Sequence, residues 1–353
     1  MHSTMHGECQ PPGGKLVAAD VEVADGRLAR VQLSGDFFLE PDDALGRLSA
    51  ALTGLPASED VSAITARVTA ALGGDAVLAG CTAAAMATAV RRALTGASGW
   101  LDHDWRLVHE EPQDPALHMA LDEVLAREVA AGRRPPTLRI WEWAAPAVVI
   151  GSFQSLRNEV DTAEASRLGI TVVRRISGGG AMFIEPASTI TYSLYAPESL
   201  VAGMSYAESY AYLDDWVIGA LTGDLGLSAW YRPLNDIASA HGKIGGATQK
   251  RLADTVLHHV TMAYDIDATT MTRVLRIGRE KLAGKGIVSA AKRVDPLRTQ
   301  TRLTRGEIID ALAGHFRRRY GLTPDAVTGG ELRAARDLAQ AKFSGSAWTA
   351  RVP

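Results

Sequence analysis

Thiols are nearly absent from this chain, which has two cysteines, Cys9 and Cys81, in 353 residues. Two thiols build neither a disulfide framework nor a thiolate zinc site, and so low a count suits a reducing cytoplasm, where the protein is expected. Long apolar runs are missing too: nothing approaches the ~18 consecutive apolar residues of a membrane span. The opening Met1–Pro12 lacks the basic head and apolar centre of an export signal. No membrane partner is expected. Nor is there an excess of charge of one sign: 37 Lys and Arg stand against 40 Asp and Glu, a formal charge of -3. Phosphate contacts normally dominate affinity for DNA or RNA, so no nucleic-acid partner is expected either. What remains, 46% hydrophobic and 22% charged residues, is the make-up of an ordinary globular protein. The length suggests two domains.

Residues 1–12 have no periodicity and read as a mobile tail. A strand-like pattern follows, Leu16, Val17, Val21 and Val23, then Asp25-Gly26, then Leu28, Val31 and Leu33; Asp-Gly between such runs signals a tight hairpin. Helical spacing takes over at Leu45, Leu48 and Leu52, again at Val61, Ile64, Val68 and Leu72, and in the alanine-rich stretch Gly80–Leu94. Small and polar residues from Thr95 to Gly99 read as a linker. The expectation is a small α+β domain over 13–98, a linker at 99–104 and a larger domain over 105–353. In the latter, Asp114-Pro115 opens a helix with Leu117, Leu121, Val124, Leu125 and Val129 as its buried stripe. Strand-like stretches then alternate with helical ones at 205–225 and 303–320, without the regular beat of a doubly wound sheet. The fold class expected is α+β.

Chemistry concentrates in three segments. Arg174-Arg175-Ile176-Ser177-Gly178-Gly179-Gly180-Ala181 leaves a strand with three glycines, which let backbone N–H groups approach an anion; a surface turn is the plain alternative. Adjacent arginines on a strand point to opposite sides, so one of the two is expected to enter a site. Lys243-Ile244-Gly245-Gly246 can set a point charge beside a phosphate, or can be an exposed hairpin. Asn235-Asp236 can hold Mg²⁺ or shape a turn. His258 and His259 are sequential on a strand and cannot share one metal, so core or hydrogen-bonded histidines are expected. Gly284–Arg293 is a third glycine and cation segment. Together the three suggest a phosphate-bearing ligand.

In this order the motifs resemble those of the lipoate-protein ligase family. The helix from Leu117, the segment Val148–Gln154, the Arg174–Ala181 loop, Asn235-Asp236, Lys243–Lys250, Leu257–Thr261, Lys285–Ser289 and Lys342-Phe343 with Trp348 are similar to that family's successive signatures. Pro12–Val17 and Leu33–Phe38 resemble the family's accessory domain, which here precedes the catalytic one. Departures stand at Ile184-Glu185, Ala187-Ser188, Ala247 and Val260.

The resemblance implies a lipoate/biotin ligase-like mixed-sheet catalytic domain. It implies an ATP-dependent ligase in which a lipoate or octanoate carboxylate attacks the α-phosphate, pyrophosphate leaves, and a carrier-domain lysine takes the acyl group from the adenylate. Carriers of this kind are the lipoyl domains of 2-oxoacid dehydrogenase complexes or a glycine cleavage H-like protein. Lys243 would be catalytic. Trp141, Arg175, Ser177, Gly178, Gly179, Gly180, Ala181 and His259 would bind the acyl part, with Trp141 walling its far end. Lys243, Gly246, Ala247, Lys285, Gly286 and Ser289 would bind ATP, and Asn235 and Asp236 the Mg²⁺. The rivals are an octanoyltransferase working through a cysteine, for which the larger domain has no thiol, and a non-catalytic relative that binds carrier domains.

Overall fold

The computed structural model describes residues 3–276 and 294–353. It divides into two compact units, Met1–Asp102 with Glu198–Leu213, and His103–Pro197 with Asp214–Pro353. No helix among the described residues is long and apolar enough to cross a membrane.

In the first unit, β1 (Met5–Cys9), β2 (Val17–Ala24) and β3 (Arg27–Gly35) form an antiparallel sheet. Asp25 and Gly26 both take positive φ, 53° and 74°, the backbone a two-residue hairpin needs to follow strand twist. The segment expected to be a mobile tail thus contains a paired strand, from Met5 opposite Val21 to Cys9 opposite Val17. Its inward positions are Met5, Gly7 and Cys9, and the middle one has no side chain to mark the alternation: a Cβ there would lie 2.2 Å from the Ala93 nitrogen. Strands β4 (Phe38–Glu40) and β5 (Val77–Ala79) pair separately. Helices α1 (Ala44–Leu52), α2 (Val61–Leu72) and α3 (Ala83–Leu94) cover the sheet, packing Leu48, Leu52, Ile64, Val68, Met86 and Val90 onto Val17, Val21, Leu28, Val31 and Leu33. The inward stripe of α1 is Ala44, Leu48 and Leu52, with Leu45 exposed. Strand β5 and the Thr82 cap, which accepts from the Ala85 N–H, delay the start of α3 to Ala83. Buried Arg92 donates to the carbonyls of Glu8, Ser98, Leu200 and Ala202, so residues far along the chain complete this unit.

The second unit is built on an eight-stranded mixed sheet. In chain order its strands are β6 (Arg106–His109), β7 (Thr137–Trp141), β11 (Thr189–Pro197), β12 (Trp230–Arg232), β13 (Asp236–Ala238), β14 (Lys243–Leu252), β15 (Thr255–Ala263) and β16 (Thr323–Asp325). In space they run β12-β13-β14-β15-β11-β7-β6-β16. Only β6 with β7 and β16 with β6 are parallel. A smaller sheet, β10-β8-β9, joins β8 (Ala147–Ile150), β9 (Thr171–Arg174) and β10 (Met182–Ile184). Helix α4 (Pro115–Ala130) lies against β9, β11 and β15, and its Leu121, Leu125 and Ala126 share a core with Trp141, Val149, Val173, Tyr195 and Leu257. Pro115 occupies the first turn, where its missing N–H leaves no gap. Because α4 is buried on nearly all sides, its polar residues His118, Asp122 and Glu123 must find partners inside the protein.

Candidate active site

Strand β9 delivers two arginines to one end of the small sheet, and they part as strand geometry requires. Arg174 donates to the carbonyls of Gly151, Gln154, Thr349 and Val352, tying the strand end to residues 349–352. Arg175 turns into the glycine loop. Its Nε donates to Ser177 Oγ at 3.1 Å, and Nη2 to the Gly178 and Gly180 carbonyls. With those carbonyls drawn to a cation, the loop's N–H groups are what it can offer an anion. Thr248 Oγ1 adds a bond to Gly178 O. Gly151, at the end of β8, makes room for all of this, since a Cβ there would lie 2.1 Å from Gly179 O.

Lys243, at the start of β14, sets its Nζ 2.6 Å from Asp236 Oδ1 and is 44% exposed. Asn235 is used differently: its Nδ2 donates to Ala247 O, and its own carbonyl accepts from the Ala247 N–H. The loop and the hairpin face a common cavity of about 240 Å³, with Arg175, Gly179, Gly180, Ala181, Asn235, Lys243, Gly246 and Ala247 in its wall. Met182, Phe183, Ile266, Met271 and Leu275 supply an apolar side that the sequence did not single out. Among the described residues no group of three or more His, Cys, Asp and Glu could hold a metal ion.

Behind the loop runs a buried polar chain. Ser177 Oγ and His259 Nε2 are 2.7 Å apart, and His259 Nδ1 is 2.7 Å from Asp122 Oδ2. Asp122 Oδ1 accepts from Ser193 Oγ at 2.9 Å and from the Tyr195 hydroxyl at 2.5 Å. Ser193 Oγ in turn accepts from Trp141 Nε1 at 3.1 Å. Burial holds His259 below the usual histidine range although Asp122 pulls the other way, and burial with the Asp122 charge pushes the Tyr195 phenol up. His258 faces the opposite side of the sheet and meets Asp214 at 2.7 Å, so the two histidines are hydrogen-bonded core residues with separate partners.

Of the residues picked from sequence, eight line the cavity. Ser177 and His259 lie behind it. Trp141, expected at the far end of an acyl tunnel, belongs to the core at 2% exposure with its ring edge-on to His259; strand β7 turns it toward α4. Lys285, Gly286 and Ser289 lie outside the described residues. Asp122, Ser193, Tyr195 and Thr248 were missed, and no local signal marks them.

The sequence matches the lipoyl protein ligase A/B catalytic domain over residues 114–317. An octanoyltransferase LipM from Symbiobacterium thermophilum is 29% identical over 279 residues, 71% of this chain and 100% of that protein. A second, from an Exiguobacterium species, is 33% identical, covering 46% of this chain and 67% of its own length. Among solved structures, the archaeal bipartite lipoate protein ligase of Thermoplasma acidophilum aligns with a TM-score of 0.63 at 25% identity, over 71% of this chain and 98% of that one. A lipoate-protein ligase A bound with ATP aligns with a TM-score of 0.61 at 24% identity, over 71% and 100%.

Proposed function

The chain belongs to the lipoyl protein ligase A/B catalytic-domain family, and on that footing we propose that it joins a lipoyl or octanoyl group to a lysine of a lipoyl carrier domain. The route proposed is ATP-dependent. The acid's carboxylate oxygen attacks the α-phosphorus and pyrophosphate departs. A neutral lysine amine of the carrier then attacks the acyl carbon, forming the amide as AMP leaves. Lys243 offsets the charge that develops at phosphorus, the kind of fixed-charge assistance that dominates such steps. The glycine loop offers N–H groups to the anionic part, and the apolar wall takes the chain, worth about 0.8 kcal/mol per buried methylene.

Mg²⁺ binds readily with one or two carboxylates, waters and substrate phosphates. Asp236, whose Oδ1 meets Lys243, is the carboxylate that would hold it with substrate phosphates and water, and bound there the ion would neutralise phosphate charge. The observation carrying the ligase route is that residues 82–353 contain no cysteine while Lys243 and the loop open on one cavity. The archaeal relative, a bipartite ligase with its E2 lipoyl domain, supports a carrier of that class.

A second reading, octanoyl transfer from a carrier thioester, is favoured by the relatives in sequence, which are octanoyltransferases. A covalent acyl step of that kind uses a reactive thiolate. Both thiols here belong to the first unit, and burial pushes Cys9 up to about 12 and Cys81 to about 11, far from thiolate at neutral pH. The test is mass analysis of a lipoyl domain incubated with the protein and either octanoate plus ATP or an octanoyl-carrier thioester. Modification in the first mixture alone supports the ligase; modification in the second alone makes it a transferase.

A further inference from the structure

We propose that Asp122 is the positioning residue of this site, one carboxylate on α4 that orders the glycine loop through His259 and Ser177 and fixes Trp141 through Ser193. The functional reading above enters only in saying what the loop binds.

A carboxylate accepts and does not donate, so the 2.7 Å contact places the histidine proton on Nδ1. Nε2 must then accept, and the Ser177 hydroxyl donates to it at 2.7 Å. That leaves the Ser177 oxygen as acceptor for Arg175 Nε at 3.1 Å, and the same guanidinium gathers the Gly178 and Gly180 carbonyls. The two directions that could run either way, at the His259 ring and at the Ser177 hydroxyl, are therefore set at Asp122. The loop's glycines have no side chains with which to set it themselves.

Strand register reinforces the arrangement. Arg139 on β7 lies opposite Ser193 on β11, Ser193 opposite His259 on β15, and His259 opposite Thr248 on β14. The row ends on Thr248, whose hydroxyl holds Gly178 O. Asp122, Ser177, Ser193 and His259 are all at least 96% buried, where a polar group left unpaired is costly.

Asp122→Asn keeps the shape and changes the directions. Its amide oxygen can still serve Ser193 and Tyr195, but its NH2 then faces Nδ1, and the ring must carry its proton on Nε2. That proton takes the second acceptor site of the Ser177 oxygen beside Arg175, and the Ser177 hydroxyl loses the acceptor it had in Nε2. The experiment uses the full chain with ¹⁵N-labelled histidine, amide hydrogen exchange and octanoate binding. In Asp122→Asn the His259 signal is expected to move from Nδ1–H to Nε2–H. Exchange at residues 176–181 should rise about tenfold with the remaining sheet unchanged, and octanoate should bind about tenfold more weakly. Ser177→Ala should loosen the same residues with the tautomer unaltered, and the double variant should lose no more than either single one.

A folded Asp122→Asn protein with wild-type exchange at 176–181, or additive losses in the double variant, would overturn the proposal. Should Asp122→Asn fail to fold, Ser177→Ala decides alone: unchanged loop exchange overturns the relay. If the wild type binds no octanoate, the functional reading falls, while tautomer and exchange still judge Asp122.

Discussion

Lys243 holds its ammonium on Asp236 at the edge of the cavity, where a half-exposed ion pair contributes only about 0–1 kcal/mol to stability. Lys243→Ala is therefore expected to leave thermal unfolding almost unchanged. Acyl transfer to the carrier should fall well beyond tenfold, the effect of ~1.4 kcal/mol at the transition state; a smaller loss removes the role. His118 and His259 give a second expectation. Both are pushed below 6.5, chiefly by burial. Well above 6.5 these rings are neutral whether the chain is folded or not. Below it the unfolded chain takes up protons that the folded one refuses, so stability falls as pH drops, by up to about 1.4 kcal/mol per pH unit for each ring. Urea unfolding between pH 7 and 5 measures the slope, which His118→Gln should lessen.

Among the elements, those with local causes were readable in advance. The Asp25-Gly26 turn, the proline-opened helix α4 and the two arginines that diverge at the end of β9 each follow from neighbours in sequence. Asp122 was invisible for the opposite reason: its partners Ser193, Tyr195 and His259 lie 71, 73 and 137 residues away, and only the pairing of β11 with β15 under α4 brings them together. Strand β1 was missed because the middle residue of its short inward row, Met5, Gly7 and Cys9, is a glycine fitted against α3. The glycine loop was legible as a motif, but its dependence on Gly151 was not, because that contact joins β8 to a different segment. Gly151→Ala would press a Cβ into the Gly179 carbonyl. Overpacking of this sort costs about 1–3 kcal/mol, and the loss should appear in denaturant unfolding together with weakened octanoate binding.

For the whole molecule, the distribution of thiols makes a clear expectation. The Cys9→Ser, Cys81→Ser protein should keep full acyl-attaching activity. A hydroxylamine-labile acyl group trapped on Cys81 of the wild type would instead favour the transferase route. The division of the chain is less simple than a break at 99–104. The first unit also holds Glu198–Leu213, where Leu200 and Ala202 receive Arg92, the Ser199 carbonyl receives the Ser98 N–H, and Tyr212 meets Trp100. A fragment ending at residue 98 should melt below the same residues in the intact protein, because a buried guanidinium loses its acceptors; circular dichroism of the fragment tests it. This interleaving also bears on how the protein is made. At a synthesis rate of about 5–20 residues per second, the ribosome needs roughly 5 to 20 s to pass from residue 102 to residue 198. During that interval the nascent amino-terminal unit waits with its Arg92 acceptors missing while the first strands of the next unit emerge, so its folding cannot finish in the order in which it is translated.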